Sequence, residues 1–445
     1  MDAEIAYNQA LDYLYSFVDY SLKHASELAK ADFNLDRMVA LLAELGNPHH
    51  AYPTIHVAGT KGKGSTSAFC ASALKSAGYR TGLYTSPHLQ DYTERIRVDG
   101  VPISHLELAE LVESVKPAVS HVPFLTTFEI TTAIGFLAFA RRGVNAAVIE
   151  VGLGGRLDAT NVVTPDVSVI TSLSYDHMLV LGDTLAKIAG EKAGIIKSGH
   201  PVVSSPQKDE ALEVIKRVSA ERSAPMTLVG RDVLYSSLGH TLHEQRMLVE
   251  WRNRPSLELT IPLLGAHQIV NAATAYAAMK AGSFRLSDPQ IQEGFASVEW
   301  RARFEIARQE PPVIFDSAHN QDSFEKLTAT LDEYLPDRPV YLIFGASEDK
   351  LIKDMFNAIK PRLKKVFLTK ADHPRALEPE AIQKLAEQVG LETEIVTPVA
   401  AAFSRALDLS AKDGSIVLSA GSMFVTAEGM TAWDQLNKLQ VTDES

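Results

Sequence analysis

The stretch IHVAGTKGKGSTSAF, residues 55–69, sets three glycines and two lysines between an apolar run and a helical pattern. Glycines let backbone N–H groups turn onto phosphate oxygens, and a lysine reaches the terminal phosphates. In this reading Gly59, Gly62 and Gly64 shape the turn, Lys63 contacts the phosphates, and Ser65 or Thr66 opens the helix. The order departs from G-x-x-x-x-G-K-[ST], because Gly64 separates Lys63 from Ser65. The competing reading is a tight turn with solvated lysines. The setting between a strand and a helix favours the anion.

In open parallel sheets, ligands bind beyond the carboxyl ends of the strands. One apolar run ends in TSPHLQDY and brings Ser86 and His88 to such an end. A second, NAAVIE, stops at Glu150 before the glycine-rich VGLGGRLDATN. A third, DVSVITSL, leads to Asp176 and His177. A nucleotide's magnesium takes oxygen ligands and water, which Ser86 and Glu150 can supply. By residue chemistry alone, His177 is equally a ligand or a hydrogen-bonded core residue.

These residues need elements to hold them. The chain has 445 residues, more than one hydrophobic core accommodates, so two or three domains are expected. Apolar residues at 46% and charged residues at 22% suit a globular enzyme. A net charge of −12 argues against nucleic-acid or anionic-membrane partners. Cys70 is the single cysteine, which excludes an intrachain disulfide. The acidic start MDAEIAYNQA does not resemble a secretory signal, and the greasiest run, AIGFLAFA, is too short to span a membrane. A cytoplasmic monomer is expected.

Residues 1–50 read as helical, with apolar spacings of three and four in NLDRMVALLAELG and Gly46 as the stop. Short apolar runs then alternate with helical patterns, the signature of a parallel sheet covered by helices. Polar alternation between about 225 and 262 suggests a small antiparallel excursion. A second alternating series begins near residue 312. The fold class expected is α/β: a mainly parallel, P-loop NTPase-like domain over 1–297, a linker over 298–310, and a smaller Rossmann-like domain over 311–445.

The runs LLAELGNPHHAYPTIHVAGTKGKGSTSAF, YTSPHLQDYTERIRVDG, TTFEITT, VIEVGLGGRLDATNVV and DHMLVLGDTLAKIAGEKAGIIK closely resemble the folylpolyglutamate synthase/dihydrofolate synthase family of Mur ligases. GAHQIVNAATA, RARFE, FDSAHN, FGASEDK and SAGSMF extend the resemblance over nearly the whole chain. It implies an ATP- and Mg2+-dependent ligase that adds L-glutamate to dihydropteroate or a reduced folate through an acyl phosphate. It also implies roles by position. ATP would lie on Gly62, Lys63, Gly64 and Ser65, with Asn271, Arg303 and Asp316 also contacting the nucleotide and His319 close by. Ser86, Glu150 and His177 would hold magnesium. Thr127, Phe128, Glu129, Leu157, Asp158 and Ala159 would line the pterin site.

Lys192 corresponds to a lysine carbamylated in related enzymes. Its own surroundings point the same way, since Leu185, Ile188, Ala189 and Ile196 give its helix an apolar face. An ammonium is costly to bury there, so the amine should become neutral and able to add carbon dioxide. The bland alternative is a lysine that snorkels to solvent.

Two departures from the family pattern stand out. Arg301 and Ala302 replace the usual proline and glycine before Arg303, and Ser317 replaces a glycine in DSAHN. Neither removes a reactive group. The LTKAD run at 368–372 mimics a guanine-recognition motif, but it lies far from the phosphate loop and reads as a polar strand end. A cell-wall Mur ligase is the nearer rival reading. It is disfavoured because the roughly 55 residues before the loop are fewer than a typical domain has. The more distant rival is an ATPase binding module.

Overall fold

The computed structural model describes residues 2–19, 33–252 and 254–443. The chain divides into two compact units that are not continuous in sequence. The first comprises Met1–Gly239, Arg246–Pro262 and Gln268–Glu299, and the second His240–Gln245, Leu263–His267 and Trp300–Ser445.

The first unit is built on an eight-stranded sheet. Its strands are β1 (Thr54–Ala58), β2 (Thr81–Tyr84), β3 (Ile96–Val98), β4 (Val101–Pro102), β5 (Ala146–Glu150), β6 (Val167–Ile170), β7 (Val202–Ser204) and β8 (Met226–Leu228). Their order is β4-β3-β2-β5-β1-β6-β7-β8. From β2 to β8 every pairing is parallel, while β3 and β4 add an antiparallel edge. Helices cover both faces of such a sheet, so the central strands are apolar runs rather than alternating ones. Accordingly β1, β2, β5 and β6 are buried along their whole length.

The topology sets the site. The four strands whose ends carried chemistry in the sequence are β2, β5, β1 and β6, and they are consecutive neighbours. Being parallel, they bring all four carboxyl ends to one edge.

Among the N-terminal helices, Leu35–Glu44 is capped by Asn34 at its start and followed by Gly46 in the left-handed region at φ 78, where glycine is strain-free. Residues 20–32 of the expected helical region lie outside the described residues. The polar segment after β8 forms β9 (Val233–His240), β10 (Gln245–Trp251) and β11 (Leu257–Ile261), a three-stranded sheet in the order β11-β10-β9. Its short connections permit only antiparallel neighbours.

The second unit carries a six-stranded sheet: β12 (Glu305–Gln309), β13 (Pro312–Phe315), β14 (Val340–Phe344), β15 (Leu363–Leu368), β16 (Thr393–Ile395) and β17 (Ile416–Ala420). Its order is β12-β13-β17-β14-β15-β16, with β12 antiparallel and the rest parallel. Phe344 anchors its core between Phe324 and Phe356, with ring centroids 6.1 and 4.6 Å away.

Candidate active site

The phosphate-type loop starts where β1 ends. Thr60 N and Lys61 N both donate to Ser172 O at 3.0 Å, which ties the loop to the end of β6. Gly62 has φ 85, and a Cβ there would lie 2.2 Å from Asn271 Oδ1 on the Ala266–Ala281 helix. No other residue fits both constraints. The Lys63–Ser76 helix begins immediately afterwards, and no side chain caps it. Its first-turn N–H groups therefore lack a capping acceptor. Early in this helix Ser65 is 2% exposed, and the hydroxyls of Thr66 and Ser67 are buried without a partner among the described residues. Unsatisfied donors at a helix N-terminus beside a lysine fit an anionic ligand.

Glu150 closes β5, opposite Val57 of β1, and is 6% exposed. Its Oε1 lies 4.0 Å from Lys63 Nζ, and its Oε2 accepts from Ser86 N at 3.2 Å. Lys63, Ser86 and Glu150 thus form one contact set contributed by three strand ends. His177 belongs to a second set. It sits in the left-handed region at φ 48, with Nε2 3.9 Å from Asp176 Oδ1, while Asp176 Oδ2 lies 3.6 Å from Lys61 Nζ. Sequence reasoning left Lys61 and Asp176 without roles. The available signal was that each flanks a residue already assigned.

Lys192 lies in the last turn of the Leu185–Ala193 helix, whose Leu185, Ile188 and Ala189 are buried. It is 5% exposed, and its side chain makes no hydrogen bond or ion pair among the described residues. Burial, followed by repulsion from Lys63, lowers its pKa from 10.5 to about 7, with Asp176 and Asp158 opposing. The glycine-rich loop after β5 presses against this helix: a Cβ on Gly155 would lie 2.9 Å from Glu191 O and 3.1 Å from Lys192 Cα. That close approach accounts for the glycine.

Several of the expected pterin residues have work inside the fold. Thr127 is buried, and its hydroxyl donates to Leu14 O at 2.9 Å. Glu129 forms a capping box with Thr126 and also accepts from Arg37 Nε at 3.0 Å. Asp158 accepts from Leu153 N, Thr160 N and the Thr160 hydroxyl, which shapes the 153–160 loop, and burial raises its pKa. Phe128 lies against the backbone of Gly152, and its ring is 6.4 Å from that of Tyr84. Ala159 is buried and Leu157 partly so. Of the six, Phe128 and Leu157 therefore leave the most side-chain surface for a ligand.

In the second unit, Asp316 follows β13 and accepts from Phe304 N and Ala318 N, both at 2.8 Å. Burial raises its pKa, and the nearby Arg303 guanidinium opposes the rise. His319 Nδ1 lies 2.8 Å from Ser317 O; with the carbonyl accepting, the proton sits on Nδ1. The two sequence departures now have physical consequences. Ala302 stands at φ 57, a conformation that suits glycine better, at a cost of order 1 kcal/mol. Ser317 brings a buried hydroxyl with no partner among the described residues.

Residues 57–279 match the family model of the Mur ligase middle domain, and residues 302–423 match that of the Mur ligase glutamate ligase domain. The dihydrofolate synthase/folylpolyglutamate synthase of Bacillus subtilis is 38% identical over 353 residues, covering 77% of this chain and 82% of that protein. The chain belongs to the folylpolyglutamate synthase/dihydrofolate synthase family of Mur ligases. A probable bifunctional folylpolyglutamate synthase/dihydropteroate synthase of Haloferax volcanii is 36% identical over 440 residues; this chain spans about half of it, 50% of its length. Among solved structures, Escherichia coli FolC in complex with DHPP and ADP matches with a TM-score of 0.85 at 32% identity, covering 97% of this chain and 98% of that one. The phosphate-type loop and the Lys63, Ser86 and Glu150 set lie inside the middle-domain match. Asp316 and His319 lie inside the glutamate ligase match.

Proposed function

We propose that this protein is an ATP-dependent ligase joining L-glutamate to the carboxyl group of dihydropteroate or a reduced folate, with ADP and phosphate as the other products. The observation that carries the proposal is the uncapped helix N-terminus at Lys63, facing the buried Glu150 across 4.0 Å. It supports a site for a polyphosphate and its cation, in a chain whose relatives carry folate ligase names.

The residues fit magnesium. Glu150 and Ser86 offer hard oxygens on adjacent strand ends, and His177, in the loop after β6, is the third proposed ligand. Among the described residues no cluster of three or more His, Cys, Asp or Glu is arranged to hold a metal. That suits an ion which keeps waters and phosphate oxygens in its shell. When bound, magnesium would neutralise phosphate charge.

Forming an amide requires an activated carboxylate. Phosphoryl transfer from ATP needs positioning and charge neutralisation more than covalent help. Lys63 and the first-turn N–H groups supply both, and Glu150 fixes Lys63 by its charge. The glutamate amine then attacks the acyl phosphate, and the anionic tetrahedral intermediate is stabilised by the same cations. Lys192, with its pKa lowered to about 7, would add carbon dioxide through its neutral amine, releasing a proton. The resulting carbamate exchanges a cation repelled by Lys63 for an anion attracted to it. Arg303 and Asp316 are proposed nucleotide contacts, with His319 three residues after Asp316 in sequence; Asn271 is proposed to contact the nucleotide from the first unit.

The test is a heavy-oxygen label in the substrate carboxylate. An acyl phosphate route moves one labelled oxygen into inorganic phosphate at each turnover. Unlabelled phosphate would overturn this route.

A further inference from the structure

Arg95 is 7% exposed, yet no carboxylate pairs with its side chain among the described residues. Among the described residues its only side-chain hydrogen bond runs from Nε to His88 Nδ1 at 3.0 Å. The guanidinium carbon lies 4.6 Å from the centre of the Tyr92 ring, so the planar group is stacked on an aromatic face. The two terminal nitrogens of Arg95 therefore carry four N–H donors with no protein acceptor among the described residues. Leaving a buried cation unpaired is costly, and folds rarely keep one unless a ligand supplies the acceptor.

The surroundings narrow the ligand. Because Arg95 donates to His88 Nδ1, that nitrogen is an acceptor and the imidazole proton resides on Nε2. The pair thus presents donors only. Aromatic rings frame it: His88 and Tyr15 pack on Tyr92 with centroids 5.3 and 5.9 Å away. Tyr92 Oη and Tyr84 Oη are fixed by Thr131 and Thr132, one helical turn beyond Thr127 and Phe128. His88 follows β2, two residues from Ser86.

We propose that Arg95, oriented by His88 and Tyr92, binds an oxygen acceptor of the pterin-bearing substrate and sets its affinity. This rests on the ligase reading above. The oxygen acceptors of such substrates fall into two groups: those of the pteroyl part (the pterin carbonyl and the aminobenzoyl oxygen), present in dihydropteroate and folates alike, and the glutamyl carboxylates, present only in substrates that already carry a glutamate.

The experiment compares wild type, Arg95→Gln and His88→Gln by steady-state kinetics with dihydropteroate and with tetrahydrofolate, each with ATP and glutamate, and by thermal unfolding without ligand. Loss of a charge-assisted hydrogen bond should raise KM for the pterin substrate of Arg95→Gln about tenfold or more. The effect should fall on KM more than on kcat, leaving KM for ATP unchanged. His88→Gln, which removes the orienting acceptor geometry, should show a smaller rise in the same constant. Ligand-free Arg95→Gln should unfold at the wild-type temperature or above it, because an unpaired buried charge has been removed. A rise with both substrates assigns Arg95 to an oxygen of the shared pteroyl part, and a rise with tetrahydrofolate alone assigns it to a glutamyl carboxylate. An unchanged KM with both, or a KM change matched by a large fall in unfolding temperature, overturns the proposal. Wild-type protein inactive with both substrates would instead count against the ligase reading itself.

Discussion

Replacing Lys192 by methionine should change how stability depends on pH, in a direction set by its burial. The amine falls from 10.5 to about 7, first because burial penalises the ammonium and second because Lys63 repels it. A difference of about 3.5 at 1.36 kcal/mol per unit corresponds to roughly 5 kcal/mol. Below about pH 7 both folded and unfolded chains hold the proton, so the folded state bears the full cost. Between about pH 7 and 10.5 the unfolded chain is protonated and the folded one is not. Stability therefore rises with pH across that window. Lys192→Met keeps the length and removes the charge, so its stability lacks this slope. Urea unfolding in bicarbonate-free buffer should show the variant more stable than wild type at pH 6 by a few kcal/mol. The gap should narrow by about 1.4 kcal/mol per pH unit above pH 7. Added bicarbonate should stabilise wild type and leave the variant unmoved, since only a neutral amine forms a carbamate. A gap independent of pH would refute the reasoning, because Lys192 would then keep its charge in solvent.

Other substitutions probe the rest of the site. Lys63→Ala should fold normally and lose at least about a hundredfold in turnover, as when a transition-state charge contact is removed; near-normal turnover would remove Lys63 from the reaction. Glu150→Gln should shift the magnesium titration more than it weakens pterin binding, and the reverse pattern would move Glu150 to the substrate. Gly62→Ala places a Cβ 2.2 Å from Asn271 Oδ1 at a positive φ, so KM for ATP should rise severalfold or more; an unchanged constant would mean the loop does not carry ATP. Lys192→Ala should be nearly inactive and recover in part with short carboxylates, and wild-type activity without them would end the carbamate idea.

The strand ends were legible because a parallel sheet collects them at one edge: the places of Ser86, Glu150 and the 59–62 loop just after or at strand ends followed from the apolar runs. The pairing of Lys61 with Asp176 was not, since both lie in loops where no periodicity records a partner. The structural duties of Thr127 and Glu129 were equally hidden. Their acceptor and donor, Leu14 O and Arg37, are about 110 and 90 residues distant along the chain, and long-range contacts leave no local pattern. The Asn34 cap and the Gly46 stop followed local rules and could be anticipated. The insertion of segments 240–245 and 263–267 into the second unit could not, because unit membership depends on packing rather than composition.

The most direct test of the central claim is the purified chain with ATP and magnesium, assayed separately with dihydropteroate and tetrahydrofolate, with and without L-glutamate. The account predicts that ADP release requires both glutamate and a pterin substrate, and that one glutamyl amide forms for each ADP. ADP released at the same rate without glutamate, and with no ligated product, would contradict it.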